Sequence, residues 1–112
     1  AVYNLSRSAL MAASLFSGKL ENLRVAVQDK LHQPYRASLI DRLEDVFRMS
    51  YELGSLGTYV SGAGPTIISL VASACAEEFS TQAEARLKDR KIAGWRVKTL
   101  AANSEGARIF TE

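Results

Sequence analysis

Residues 56–71 read LGTYVSGAGPTIISLV, and this stretch decides the fold. Its two flanks, residues 56–60 and 67–71, are short and rich in β-branched side chains, which predicts two strands. The segment between them is built mainly from small residues: Ser61, Gly62, Ala63, Gly64, Pro65 and Thr66. Two glycines one residue apart permit positive φ angles, and the proline fixes its own φ and lacks an N–H. The stretch is therefore typical of two strands joined by a sharp turn.

The turn itself supports two interpretations. Glycine supplies turn geometry whatever the function, so taken alone the segment favours a tight hairpin. The same small residues let a ligand approach the backbone, and a loop of this kind exposes amides to an anion such as phosphate. Both interpretations stay open on composition alone.

Helical patterns surround the hairpin. Apolar spacing predicts helices over residues 4–17, 20–31, 41–53 and 77–91. Asn4 is the predicted cap of the first helix, and Asp41 and Glu44 have the spacing of a capping box at the start of the third. Gly18 and Gly54 are expected to end these two helices. Trp95 opens an alternating run over residues 95–99, which predicts a half-buried strand, and residues 107–110 predict a last short strand. Helices followed by β-β-α-β indicate an α+β fold, with an antiparallel sheet covered on one face by helices in a split β-α-β arrangement.

Composition limits the possible functions. With 112 residues, of which 47% are hydrophobic, the chain is expected to form a single domain over residues 1–112. A net charge of +2 and the lack of a basic run argue against a nucleic-acid binder. No apolar stretch is long enough for a membrane span and no secretory leader is evident, which favours a cytoplasmic protein. The opening directly into a helical pattern indicates a piece of something larger.

Few residues suggest catalytic or metal chemistry. His32 and Cys75 are the single histidine and cysteine, so their pattern predicts no metal site, and the apolar neighbours of Cys75 predict a buried thiol. Trp95 is expected in the core or an interface. Arg36, two residues after Pro34, could bind a carboxylate or phosphate with its planar fork, or pair with nearby acidic residues on the surface. No acidic pair lies in an apolar context suited to acid–base catalysis.

Four segments in order resemble a known family. They are VYNLSR at 2–7, LHQPYR at 31–36, VSGAGPT at 60–66 and EGAR at 105–108. Together they resemble the C-terminal half of the homoserine kinases, within the GHMP small-molecule kinase superfamily. The resemblance implies a ferredoxin-like α+β domain of the GHMP kinase C-terminal type.

The resemblance also implies an activity, namely transfer of the γ-phosphoryl group of ATP to L-homoserine, with Mg²⁺, on the way to threonine. It assigns the homoserine carboxylate to Arg36, and it places the loop of residues 61–66 beside the nucleotide phosphates as a support for the main phosphate loop. It assigns no catalytic residue and no metal ligand to this chain.

The family's main phosphate loop, with the pattern PxxxGLGSSA, and its acidic Mg²⁺ ligand belong to the N-terminal half and match nothing here. An N-terminal kinase domain is therefore the expected partner, ATP and Mg²⁺ belong to the complete enzyme, and the chain alone is expected to be inactive. Apolar surface left exposed would favour a homodimer. The alternative is a non-catalytic α+β module that binds an amino acid or a regulatory partner, which the lack of a catalytic constellation favours.

Overall fold

The structure is a computed structural model that describes residues 1–29, 42–62, 64–89, 92 and 94–111. Its elements are α1 (Val2–Ser17), a 3₁₀ turn (Leu20–Asn22), α2 (Leu23–Ala26), α3 (Leu43–Glu52), β1 (Gly57–Val60), β2 (Ile67–Leu70), a second 3₁₀ turn (Ser73–Cys75) and α4 (Ala76–Asp89). Helices thus precede and follow one β-hairpin, which confirms the predicted α+β class.

The hairpin forms where the sequence predicts it. Strands β1 and β2 are antiparallel, and their register runs from Gly57 opposite Leu70 to Val60 opposite Ile67. The Leu56 N–H donates to the Leu70 carbonyl oxygen at 2.8 Å, which continues the pairing one residue beyond β1. Both predicted strands are therefore confirmed, and the turn of residues 61–66 joins them.

Helices contact both faces of the hairpin. A Cβ at Gly57 would lie 3.1 Å from the Leu23 carbonyl oxygen and 3.1 Å from Val27 Cγ1, so position 57 faces α2. Ile67 packs instead against the core formed by α3 and α4. Side chains alternate along a strand, and the Gly57 pair lies three positions from the Ile67 pair, so these two contacts fall on opposite faces. The pattern had predicted helices on one face only.

The main core lies between α3 and α4. Its buried members are Val46, Met49, Ala83, Leu87 and Ile92, and the half-buried side chains packed against them are Leu53, Ile67, Phe79, Trp95 and Val97. The predicted apolar stripe of α4 is thus confirmed, because it supplies Phe79, Ala83 and Leu87. Trp95 also packs in the core, as its alternating context predicts.

Glycines end two helices as predicted, but the starts differ. Gly18 follows α1 with φ 75°, and Gly54 lies beyond α3 with φ 99°, values that favour glycine. Helix α1 begins at Val2, so Asn4 is not its cap. The Asn4 amide instead donates to the Asp29 carboxylate at 2.6 Å, because a tertiary partner satisfies it better than a local one.

The second predicted helix is shorter than its apolar pattern. Residues 20–22 form a 3₁₀ turn and α2 ends at Ala26, whereas the pattern predicted a helix to residue 31. Val25 and Val27 are β-branched and lose side-chain freedom in a helix. The Gln28 N–H donates to the Val25 carbonyl oxygen at 3.1 Å, so the chain tightens into a last i→i+3 turn, and the side chains of Gln28 and Asp29 bond to α1. Residues 30–41 lie outside the described residues. Helix α3 begins at Leu43 with Arg42 as its N-cap, so the predicted capping box of Asp41 and Glu44 is wrong.

Two predicted strands were wrong. Trp95 and Val97 are half-buried while Arg96 and Lys98 are exposed, so the alternation is present without strand pairing. An alternating pattern indicates only that one side of the segment is buried. A strand also needs a neighbouring strand with a free edge to which it can hydrogen-bond. Residues 95–100 instead line a cavity of about 200 Å³, together with residues of β2, α3 and α4. Residues 107–110 are unpaired as well, with Phe110 83% exposed.

Cys75 is exposed, which corrects the prediction of a buried thiol. It ends the 3₁₀ turn that precedes α4, and its neighbours Ala72 and Ala74 are exposed too. Small apolar neighbours therefore form a surface turn here, and their composition does not bury the residue between them.

Candidate functional site

The loop between β1 and β2 is held by two backbone hydrogen bonds. The Ser61 N–H donates to the Thr66 carbonyl oxygen at 2.8 Å, and the Gly64 N–H donates to the Ser61 carbonyl oxygen at 2.9 Å. Gly62 has φ 54° and Gly64 has φ 82°, so both adopt the conformation that their lack of a side chain permits. The loop is therefore a tight hairpin turn, while Ala63 lies outside the described residues.

These bonds limit how the loop could bind an anion. The N–H groups of Ser61 and Gly64 serve the turn itself, and Pro65 has no N–H. Gly62 and Thr66 are exposed and remain as the described loop residues whose N–H groups could face a ligand. Two available donors among the described loop residues suit a supporting position beside a phosphate better than a complete phosphate cradle.

A chain of hydroxyl groups joins β1 and β2 near the end of the hairpin opposite the loop. Thr58 is 1% exposed, and its Oγ1 lies 2.8 Å from Ser55 Oγ and 3.1 Å from Ser69 Oγ. Ser55 Oγ donates to the Gly57 carbonyl oxygen at 3.0 Å, so a consistent chain of donors runs from Ser69 through Thr58 to Ser55. Each hydroxyl then has a partner, which satisfies polar groups that burial would otherwise penalise.

Helix α3 is tied to the same strand. The backbone N–H of Thr58 donates to the Tyr51 hydroxyl at 3.0 Å, and the Arg24 guanidinium carbon lies 4.1 Å from the centre of the Tyr51 ring. Tyr51 thus joins α2, α3 and β1. Since the loop begins directly after β1, these contacts fix its position relative to the helices.

Arg36 and His32 lie outside the described residues, but the structure describes the chain just before them. The Tyr3 hydroxyl donates to Gln28 Oε1 at 2.6 Å, and Asn4 donates to Asp29 as described above. The Arg7 guanidinium carbon lies 4.2 Å from the centre of the Tyr3 ring, and its Nε is 3.5 Å from Gln28 Oε1. We call Tyr3, Asn4, Arg7, Gln28 and Asp29 the α1–α2 polar cluster.

The α1–α2 polar cluster holds Gln28 and Asp29, the last described residues before Arg36, against the first turns of α1. Residues 2–7 carry part of the family resemblance, but the sequence predicts no role for them. One signal could have found the cluster: Arg7 is the sole charged residue of α1, and it lies on the helix's half-buried side. A single charge on the inner side of a helix indicates a specific partner, because charged side chains otherwise favour solvent.

The cluster and the loop are connected through α2. Val27, the residue before Gln28, contacts the start of β1 at Gly57. From Gly57 to Val60 the strand rises about 10 Å, and the loop begins at its end. Gln28 thus lies on the side of the molecule where β1 begins, and the loop lies one strand length away.

Neither metal-binding nor membrane-spanning features occur among the residues that the structure describes. In those residues no three histidine, cysteine or carboxylate side chains are grouped to hold a metal ion. None of the described helices is both long and apolar enough to cross a membrane.

Comparison with known proteins identifies the family. Residues 10–89 match the family model described as "GHMP kinases C terminal". The chain belongs to the GHMP kinase family. The homoserine kinase of Clostridium botulinum is 44% identical over 109 residues, which cover 97% of this chain and 36% of that protein. The homoserine kinase of Aquifex aeolicus is 40% identical over 113 residues, covering 99% of this chain and 37% of that protein.

A solved structure agrees with these relatives. The crystal structure of homoserine kinase from Cytophaga hutchinsonii matches with a TM-score of 0.70 and 26% identity, covering 80% of this chain and 29% of that one. The chain thus spans about a third of the length of the relatives it matches, and this GHMP kinase segment corresponds to their C-terminal part.

Proposed function

We propose that this chain is the C-terminal domain of a homoserine kinase and forms a single domain over residues 1–112. The observation that carries the proposal is the relationship to homoserine kinases at 40–44% identity across 97–99% of the chain. The complete enzyme transfers the γ-phosphoryl group of ATP to the side-chain hydroxyl of L-homoserine, giving O-phospho-L-homoserine for threonine biosynthesis. The bond between the β,γ-bridging oxygen and the γ-phosphorus breaks, a bond to the homoserine oxygen forms, and the hydroxyl proton leaves.

Arg36 is the substrate-binding residue of the proposal. A guanidinium presents two parallel N–H donors that match both oxygens of a carboxylate, which suits the α-carboxylate of homoserine. The α1–α2 polar cluster supports this role, because it fixes residues 28 and 29 just before the segment that carries Arg36. Holding the carboxylate fixes where the reacting hydroxyl lies, and phosphoryl transfer depends mainly on such positioning.

The loop of residues 61–66 is the nucleotide-side element of the proposal. A Cβ at Gly62 would meet nothing within 4 Å, which leaves space for phosphate oxygens close to the backbone, and the hydroxyl chain of Ser55, Thr58 and Ser69 joins the two strands that carry the loop. Since the turn itself consumes the Ser61 and Gly64 donors, the loop supports a phosphate site whose main donors come from another part of the enzyme.

The Mg²⁺ that accompanies ATP in such a reaction finds no ligand set in the described part of this chain. We therefore assign the metal site, and the main phosphate loop, to the N-terminal kinase domain that the longer relatives contain. It follows that the 112-residue chain is inactive by itself.

Genetic complementation tests the proposal. A chimera in which this chain replaces the matched C-terminal third of the Clostridium botulinum homoserine kinase should restore growth without threonine to a bacterium that lacks homoserine kinase. The chain alone should not restore growth. A chimera that accumulates as folded protein but leaves the cells dependent on threonine contradicts the proposal, and so does rescue by the chain alone.

A further inference from the structure

The outward side of α1 carries a row of apolar residues along its whole length, flanked by exposed serines at positions 6, 8 and 17. Val2 is 81% exposed, Leu5 is 71% exposed and Phe16 is 99% exposed. Ala9 and Ala12 are exposed between them, so the five residues follow one another at steps of three or four. This spacing places them on one side of a helix, and we call them the α1 stripe.

The composition of α1 is unlike that of a surface helix. Among its 16 residues Arg7 is the sole charge, and it lies on the side that contacts Gln28. Helix α4 provides the contrast within the same chain, because its exposed side carries Glu77, Glu78, Glu84 and Lys88. A helix whose single charge faces inward, while its outward side carries a row of apolar residues, is normally covered by a second layer of protein.

We propose that the α1 stripe docks against the N-terminal two-thirds of the complete polypeptide, a proposal that rests on the proposed function. The match leaves nearly two-thirds of each relative outside this chain, so a partner of sufficient size belongs to the same protein. Small residues at positions 9 and 12 let a second layer approach the helix closely, while Phe16 and Leu5 supply large anchors at either end.

The docking places α1 between the two parts of the enzyme. Its inner side holds the α1–α2 polar cluster and thereby the start of the Arg36 segment, and its outer side meets the other domain. The helix thus links the position of the homoserine-binding segment to the domain that supplies the phosphate loop. This surface, and not the unpaired residues 107–110, is the one we assign to the partner.

Thiol labelling tests the docking. Phe16→Cys is introduced into the isolated chain and into the chimera with the Clostridium botulinum enzyme, and peptide-resolved mass spectrometry follows its alkylation. Ala85→Cys on the exposed side of α4 is the matched control. Labelling of position 16 should be at least tenfold slower in the chimera than in the isolated chain, whereas position 85 should label at the same rate in both.

The outcomes separate this proposal from the proposed function. A chimera that phosphorylates homoserine but labels as fast at position 16 as the isolated chain overturns the docking and leaves the function intact. Protection at position 16 in a folded chimera without activity supports the docking and contradicts the function. Protection that disappears when the chimera is diluted to a monomer assigns the stripe to a second copy and also overturns the proposal.

If the chimera does not fold, a binding assay between two separately expressed proteins tests the docking instead. The N-terminal two-thirds of the same relative, expressed separately, should bind the isolated chain, and Phe16→Glu should weaken that binding at least tenfold while Ala85→Glu leaves it unchanged. Equal binding by both variants, or no association in either format, overturns the docking.

Discussion

Substituting Gly57 by alanine tests the contact between α2 and the hairpin, on which the placement of the candidate site depends. The new Cβ would lie 3.1 Å from the Leu23 carbonyl oxygen, 3.1 Å from Val27 Cγ1 and 3.3 Å from the Leu23 carbonyl carbon. Two of these neighbours are backbone atoms of α2, so they cannot rotate away. The helix and the strand must separate by a few tenths of an ångström.

The magnitude follows from two opposing terms. Overpacking a tight contact costs about 1–3 kcal/mol, and alanine recovers about 0.4–1 kcal/mol by restricting the unfolded chain. The net loss of unfolding free energy is therefore about 1–2 kcal/mol, which lowers Tm by roughly 5–15 °C for a domain of this size. Thermal and urea denaturation, followed by circular dichroism, measure both quantities.

A double-mutant cycle makes the test specific. Val27→Ala removes one of the crowding atoms, so Gly57→Ala should cost less in that background, with a coupling of about 0.5 kcal/mol or more. Gly62→Ala is the matched control, because a Cβ there meets nothing within 4 Å and its cost arises from φ 54° alone. The reasoning is refuted if Gly57→Ala is neutral, or if Gly62→Ala couples to Val27→Ala equally.

Three further predictions concern the hydroxyl chain, the loop and Arg36. Thr58→Val should lower the unfolding free energy by about 1–3 kcal/mol in urea titrations, because Ser55 and Ser69 lose their buried partner. The same substitution at exposed Thr66 should change the unfolding free energy by less than about 0.5 kcal/mol. Equal losses at the two positions would refute the hydroxyl chain. In the chimera, Arg36→Ala should weaken homoserine binding by about 2–5 kcal/mol, measured as a rise in the KM for homoserine. Arg48→Ala, at an exposed arginine, should leave that KM unchanged. An unchanged KM in the Arg36→Ala variant excludes Arg36 as the carboxylate ligand. Gly64→Val should raise the KM for ATP at least tenfold, because a β-branched residue cannot adopt the φ of 82° found at this position. Gly106→Val is the control: Gly106 has φ 73°, so the backbone strain is similar, but the KM for ATP should be unchanged.

The sequence predicted well what depends on local conformation. The hairpin, the ends of α1 and α3 at Gly18 and Gly54, and the apolar stripe of α4 follow from residue types that constrain the backbone or repeat at the helical period. These features need no knowledge of distant residues, so the sequence alone was sufficient to predict them.

The errors arise where a distant partner decides the structure. Asn4 has the composition of a cap but bonds to Asp29, 25 residues later. Residues 95–98 alternate between half-buried and exposed as predicted, whereas Thr99 is exposed, and the segment lines a cavity instead of pairing with a strand. Cys75 lies among apolar residues that are themselves at the surface. Local patterns do not encode which surfaces meet, and each of these outcomes depends on such a meeting.

The candidate site was predictable only in part, for the same reason. The Ser61 to Thr66 loop stood out by its glycines, and its turn geometry is confirmed, while its place beside a nucleotide stays a prediction. The α1–α2 polar cluster was not recognised, because its members are 21 to 25 residues apart and have ordinary neighbours. Only the fold brings Tyr3, Asn4 and Arg7 to the start of the Arg36 segment.

The most direct test of the proposed function is the transfer of labelled phosphate. The purified chimera is incubated with ATP labelled on its γ-phosphorus, Mg²⁺ and L-homoserine, and the products are separated and identified by mass. We predict that the label appears in O-phospho-L-homoserine with the chimera and that none appears with the isolated chain. A folded chimera that binds ATP but transfers no label to homoserine would contradict the assignment.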